Sequence, residues 1–401
     1  MLVSRHLRIA TLATAIIAVT SGGAFAQKKY DTGASDTEIK VGNIMPYSGP
    51  ASAYGVIGKT EEAYFKKINA EGGINGRKIT FVTYDDAYSP PKAVEQVRKL
   101  VESDDVLFVF NPLGTPSNSA IQKYLNGKKI PQLFVATGAT KWNDPKNFPW
   151  TMGWQPSYQS EGRIYAKYLL KDKPGAKVGV LFQNDDFGKD YLKGLKDGLG
   201  DKAASMIVME ESYETSEPSI DGHIVKLKAS GADALITSTA GGAPNVTLTK
   251  QMRAAGVNLP YGNLAVDEGT AKGMGADAAG IFLSASYVTG IDTPANKTFL
   301  ASMAKKFGAE LKTPNDLSVP EYEAVYAYKA AVEKAGSTDQ DKVLKALAEV
   351  SVDGPRGSIK MDKQRHAPLT MYLGQVQADG SVKVIQSFAN VDPGAQCPGK
   401  S

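Results

Sequence analysis

Ala53, four residues, then Gly58-Lys59-Thr60 satisfies the looser form of a phosphate-cradling loop, in which backbone N–H groups surround the phosphates and the lysine neutralises them. Such a loop follows its strand directly. Here a long stretch containing Pro46 and Pro50 separates the apolar run ending at Met45 from Lys59, so the lysine is better placed on the first turns of a helix. Other chemistry is sparse. The histidines are His6, His223 and His366, and the sequence holds no HExxH, no paired cysteine and no G-x-S-x-G elbow. His223 and His366 read as structural or surface groups. Asp85-Asp86 could hold a metal or act as a carboxylate pair, but acids at a strand end more commonly accept backbone hydrogen bonds. No metal, cofactor or catalytic group is therefore expected, and the chain reads as a non-enzyme. The aromatics say more: Tyr54, Trp142, Trp150, Trp154, Tyr158 and Phe187 fall in or beside the expected loops, as the walls of one ligand cleft would.

The elements that must position these residues alternate in type. Strands are expected at 38–45, 78–86, 106–110 and 131–137, with helices at 54–70, 91–102 and from 117 onward. Gly72-Gly73 ends the first helix and Asn75-Gly76 turns the chain into the next strand. The same grammar repeats with helices at 158–171, 187–199, 218–229 and 245–255 and strands at 176–182, 204–210, 232–238 and 280–286. Helices at 294–309, 320–335 and 340–349 follow, then the short strands GSIKM, MYLGQVQ and SVKVIQSF. Strand, helix, strand at short spacing implies an α/β protein with two doubly wound parallel sheets. Late elements of this kind often return to an earlier domain, so both domains are expected to be discontinuous. Ligands of open parallel sheets bind outside the carboxyl ends of the strands. The loops PYSGPASAYG, NPLGTPSNS, ATGATKWND and QNDDFGKD combine Gly with Ser, Thr or Asn there, an anion-receptive and partly aromatic cup.

Residues 1–26 have Arg5 and Arg8 before an apolar run from Ile9 to Val19 and close on Ala24-Phe25-Ala26, the pattern of a cleaved secretory leader. The run is shorter than the ~20 residues that span a bilayer, and no cysteine follows it to accept a lipid. Export to the periplasm is expected, with cleavage after about Ala26. The 401 residues carry 46 basic and 42 acidic side chains, two of the basic ones in the leader, without a long single-sign run. Nucleic acid is thus not an expected partner. Cys397 is the one cysteine, so stability must come from core burial and not from an internal disulfide.

IKVGNIMPYSGPASAYG, INAEGGINGRKITFVTYDDAYSPPKAV, YAKYLLKDKPGAKVGVLFQNDDFGKDY and KQMRAAGV together resemble the leucine/isoleucine/valine-binding family of bacterial periplasmic proteins, over almost the whole mature chain and in the same order. The resemblance implies a type I periplasmic-binding fold, two lobes joined by a three-strand hinge. It also implies a solute delivered to the permease and ATPase subunits of an ATP-binding cassette importer, with ATP hydrolysed by those partners. The expected division is 1–26 leader, 27–153 plus about 287–362 for lobe 1, and 154–286 plus about 363–401 for lobe 2, acting as a monomer.

By the same resemblance Tyr54 faces the cleft, and a ligand carboxylate meets Gly114-Thr115 and Thr137-Gly138, with Ala136 beside them; which of residues 137–140 makes the contact stays open. Phe187 corresponds to the aromatic that closes over the ligand. Two departures bear on the ligand. The acid that pairs with an α-ammonium aligns on Asn263, and Tyr158 lies where an acidic hinge residue often sits. A buried ammonium without a counter-charge costs several kcal/mol. The expected ligand is accordingly a small carboxylate without an amine, such as an aromatic acid; Asp267 or Glu268 could restore the charge and with it an amino-acid ligand. The positions of the family's first-lobe disulfide correspond to Tyr88 and Leu113. A ligand-sensing regulator on the same fold is the alternative class, and the missing nucleophile elbow argues against a hydrolase.

Overall fold

The computed structural model describes residues 30–142, 144–217, 219–263, 266–289, 291–307, 319–361 and 367–391. The leader, His366, Cys397 and the Glu268 side chain lie outside the described residues. In the first lobe the chain runs through β1 (Glu38–Met45), α1 (Val56–Ala70), β2 (Lys78–Asp85), α2 (Pro90–Glu102), β3 (Phe108–Phe110), α3 (Thr115–Lys128), β4 (Gln132–Val135) and β5 (Thr151–Gly153). The strands form a five-stranded parallel sheet in the order β2-β1-β3-β4-β5. β1 is apolar because helices cover both of its faces. Its one buried amide, Asn43, is satisfied by the carbonyl oxygens of Phe110 and Asn111 and by the Thr83 hydroxyl. α1 presents Ile57, Tyr64, Phe65 and Ile68 to the sheet at helical spacing. Asn75 and Gly76, both at positive φ, make the tight turn that leads into β2, with Arg77 N–H bonding back to the Ile74 carbonyl at 3.0 Å.

The second lobe holds α4 (Tyr158–Asp172), β6 (Val178–Gln183), α5 (Asp186–Leu199), α6 (Ala203–Met206), β7 (Ile207–Tyr213), α7 (Asp221–Ala229), β8 (Ala234–Ser238), α8 (Ala243–Ala254), β9 (Tyr261–Asn263), α9 (Glu268–Met274) and β10 (Phe282–Ala285). The chain then forms α10 (Pro294–Phe307), α11 (Val319–Ala335), α12 (Gln340–Leu347) and the hairpin β11 (Ser351–Gly354) with β12 (Gly357–Lys360). α11 returns to pack on α1 of the first lobe, where Tyr64 meets Tyr322 edge-on at 4.8 Å between ring centres. Finally β13 (Leu369–Val376) and β14 (Val382–Val391) go to the other lobe and complete a seven-stranded sheet in the order β14-β13-β10-β9-β8-β6-β7. Its last two strands are antiparallel, the rest parallel.

The chain crosses between lobes after β5, after β10 and between β12 and β13. At these crossovers the Trp154 indole N–H donates to the Pro320 carbonyl at 2.7 Å. Arg356 is buried beside it: its guanidinium lies 5.6 Å from the centre of the Trp154 ring system, pairs with Glu323 at 2.5 Å and donates to the Ser286 hydroxyl at 2.9 Å.

Several expectations about elements need correction. The strand expected at 204–210 starts as the short helix α6 and becomes β7 only at Ile207, because Ala203 and Ala204 prolong the helical run after Gly200. β5 and β9, each three residues long, show no alternation of their own; both are fixed by pairing to a buried neighbour. The helix expected at 54–70 begins as a 3-10 turn over Ser52–Gly55, with the α-helix following from Val56.

Candidate functional site

The strand order reverses between β1 and β3 in one sheet and between β6 and β8 in the other. Loops at these switch points face each other, and between them lies a cavity of about 260 Å³. Pro50, Ala51 and Tyr88 wall it from the first lobe, while Gln183, Tyr213, Thr239 and Ala240, all at carboxyl ends of β6, β7 and β8, wall it from the second. Two hydrogen bonds cross the cleft here: Gln183 Nε2 donates to the Tyr88 hydroxyl at 3.4 Å, and the Gly241 N–H donates to the Tyr54 hydroxyl at 2.8 Å. On another side the lobes meet through Thr140 N–H to Asp190 at 2.7 Å and the ion pair Lys141–Asp186 at 2.9 Å.

Most of the anticipated residues gather in one connected group beside that cavity. Thr115 sits at the first turn of α3, and its hydroxyl lies 2.5 Å from that of Thr137. Tyr158 opens α4; its backbone N–H bonds to the Gly138 carbonyl at 2.9 Å, and its phenol reaches Thr137 and the Gly138 backbone. Gly138 is tightly enclosed, since a Cβ there would stand 2.8 Å from the Tyr158 ring. Gly114, at φ 96°, lies under Tyr88, where a Cβ would come within 2.6 Å of the ring. Ala136 and Leu113 belong to one apolar cluster with Tyr88, so the two positions aligned with the family's disulfide are packed together instead.

Phe187 and Asn263 are placed differently. Phe187 is buried in the second-lobe core, 4.8 Å from Tyr158 between ring centres and edge-on to Tyr191, and backs Tyr158 instead of lining the cavity. Asn263 is fully buried behind Thr239: its amide donates to the Thr239 hydroxyl at 2.9 Å and to Asn245 at 2.6 Å. Asp267 accepts from the Thr270 N–H as the cap of α9.

Electrostatically the site sets buried phenols beside carboxylates: Glu214 and Glu217 line the cavity, and Asp185 lies near Tyr88. Burial pushes the Tyr88 phenol well above its ordinary value, and the nearby Asp185 carboxylate adds to this. Burial likewise raises Tyr158 and Tyr213, so all three keep their protons and can donate them. Asp185 caps α5, accepting from the backbone N–H groups of Phe187 and Gly188 at 3.0 and 3.3 Å and from Gln183 at 2.7 Å. Burial still raises its carboxyl above the usual carboxylate range.

Tyr88, Gln183, Tyr213 and Thr239 were not singled out from sequence as ligand contacts. Gln183, Tyr213 and Thr239 stand at or just past a strand's last residue, where the same position in several strands is the available signal. The other candidate chemistry dissolves on inspection. Lys59 is exposed on the first turns of α1, and Gly58 packs under Tyr47, whose hydroxyl would stand 2.1 Å from a Cβ there. Asp85 accepts from the Ser48 N–H at 3.1 Å and the Ala87 N–H at 3.0 Å. Asp86 accepts from the Tyr88 N–H at 2.9 Å. His223 bridges Glu211 and Glu217 near the surface. Among the described residues no group of His, Cys, Asp or Glu is arranged to hold a metal ion.

The sequence profile described as periplasmic binding protein matches residues 38–381. The chain belongs to the periplasmic binding protein family. A Leu/Ile/Val-binding protein homolog from Brucella melitensis is 30% identical to this periplasmic binding protein over 82% of the chain and 88% of the relative. Among solved structures, an ABC transporter solute-binding protein from R. palustris in complex with 4-hydroxybenzoate has a TM-score of 0.79 at 23% identity, covering 90% of this chain and 99% of that one. A branched-chain amino acid transporter substrate-binding protein from Streptococcus pneumoniae, in complex with isoleucine, has a TM-score of 0.75 at 21% identity, covering 89% and 100%. These structures share the two-lobed type I fold with this periplasmic binding protein.

Proposed function

We propose that this protein captures a small amine-free carboxylate, an aromatic acid in particular, in the cleft between its lobes and presents it to the permease and ATPase of an ABC importer. The observation that carries the reading is Asn263. Where an amino-acid ligand needs a counter-charge for its ammonium, the second lobe holds a buried neutral network of Asn263, Asn245 and Thr239. The first lobe gathers donors suited to a carboxylate, namely the hydroxyls of Thr115 and Thr137 and the Gly138 backbone, with the Tyr158 phenol beside them. Tyr88 and Tyr213 give the cavity the aromatic walls an aryl group requires, and Phe187 backs Tyr158 beside them. Structural neighbours that hold benzoate and 4-hydroxybenzoate are consistent with this ligand class.

A second reading, an amino-acid ligand, is favoured by one feature: Asp185 is a partly buried acid at the cleft and could face an ammonium. Its three existing bonds count against that role. The lobes are taken to divide as 27–153 with about 287–362 and 154–286 with about 363–401, with export of the mature chain after about Ala26 and action as a monomer. Contacts made to ligand by both lobes favour the closed arrangement, and only such differential affinity can shift the balance.

Calorimetric titration of refolded mature protein with benzoate, 4-hydroxybenzoate, leucine and isoleucine tests the reading. Binding of the benzoates alone is the expected result. Binding of leucine or isoleucine in preference to them would overturn the ligand class and direct attention to Asp185.

A further inference from the structure

The structure assigns to Tyr88 the role of a size gauge: its ring is the wall shared by the first-lobe donor group and the adjoining cavity, and it sets how wide a ligand body the cleft accepts. This rests on the reading above, that the cleft takes an aromatic carboxylate. Tyr88 follows Ala87 in a turn where both residues have positive φ, 50° and 59°. Non-glycine residues adopt that conformation at a cost, and a bulky one especially calls for an explanation. The turn is held by the Asp86 carboxylate accepting from the Tyr88 N–H, and its effect is to direct the ring into the cleft and not onto the surface. Three contacts fix the ring. It rests on Gly114, the residue before Thr115, so closely that any side chain at 114 would displace it. It belongs to the apolar cluster of Met45, Ala51, Ile57, Leu113 and Ala136. Its hydroxyl meets Gln183 across the cleft.

Neither Gly114 nor Thr115 lines the 260 Å³ cavity, whereas Tyr88 does. With Tyr88 touching Gly114 on one side and the cavity on the other, a carboxylate held at the Thr115–Thr137 hydroxyls is taken to extend its body past the edge of that ring. One aromatic ring fits such a passage better than two fused rings. Removing the phenol would release about the space that a second fused ring occupies.

The test uses the mature full chain and titrates wild type, Tyr88→Ala and Tyr88→Phe with benzoate, 2-naphthoate, leucine and phenylalanine. Tyr88→Ala should weaken benzoate while gaining 2-naphthoate, moving their affinity ratio by at least about tenfold, which a merely structural loss would not do. Tyr88→Phe keeps the ring and should leave that ratio unchanged while lowering affinity for both acids. An unchanged benzoate to 2-naphthoate ratio in Tyr88→Ala overturns the gauge, even with both affinities reduced. If wild type takes leucine and not benzoate, the ligand class fails on its own, and the gauge is judged by whether Tyr88→Ala shifts the leucine to phenylalanine ratio. Binding of none of the four by wild type would overturn both.

Discussion

The two walls of the cleft are built from similar loops but use their polar side chains differently. In the first lobe the Thr115 and Thr137 hydroxyls meet each other, and Thr137 also accepts from the Ala139 N–H and reaches the Tyr158 phenol, an open chain of hydroxyls beside the cavity. In the second lobe Asn263, Asn245 and Thr239 bond one another in a closed network, and Asp185 is occupied as the cap of α5. The difference separates two tasks. Under the proposed function the first lobe supplies donors to a ligand, and the Asn263 network of the second lobe stands as a neutral, internally bonded layer behind its wall.

Breaking the second wall should cost most. Phe187→Ala removes the ring that backs Tyr158 and is expected to lower stability by about 4 kcal/mol, with ligand affinity falling as Tyr158 loses its support; urea unfolding measures the first and titration the second. Preserved stability would mean that Phe187 is not the core residue its packing indicates. Asn263→Asp places a charge in the neutral network and should cost about 3 kcal/mol. If that variant gains affinity for leucine, the division of tasks between the walls is sharpened, because one buried charge would then choose the ligand class. The Tyr54 hydroxyl is a smaller test. Tyr54→Phe deletes the bond from Gly241 and should weaken ligand binding by about 1 kcal/mol, roughly fivefold, with little change in melting temperature. Equal affinity would show that this contact does not distinguish the closed arrangement.

The last test concerns a carboxyl group buried within the first lobe. Glu61 lies fully buried beside Asn43, and burial, with the Glu321 carboxylate adding to it, raises its carboxyl well above the usual range. A raised folded value means that stability is complete below the unfolded value of about 4.5 and declines as pH rises toward the folded one. Glu61→Gln should therefore gain melting temperature relative to wild type at pH 8 and gain less at pH 5. An equal difference at both values would show that Glu61 does not titrate as its burial requires.

Much of this architecture was legible because the signals are local. The Asn75-Gly76 turn, the run of β1 and the apolar spacing of α1 each state their own conformation. β5 and β9 were not legible, since three residues carry no period and only their neighbours make them strands. The candidate site divides in the same way. Thr115, Thr137 and Tyr158 stand at loop and helix starts that a reader of parallel sheets inspects first. Gln183 and Tyr213 end their strands as ordinary residues, and what brings them together is the order of strands in the sheet. Tyr88 is the hardest case, because its place depends on a left-handed turn that neither Ala87 nor Tyr88 favours by itself.

Arg356 bears on how such a molecule signals. Its guanidinium ties Ser286 at one crossover and Glu323 of α11 together, beneath the Trp154 indole of another crossover. A brace of this kind would resist independent twisting of the connecting segments, so that opening and closing under the proposed function would follow one arc, like a door on one pin. Under the proposed import function, a membrane partner would then read the spacing of the two lobes as a single coordinate, open or shut.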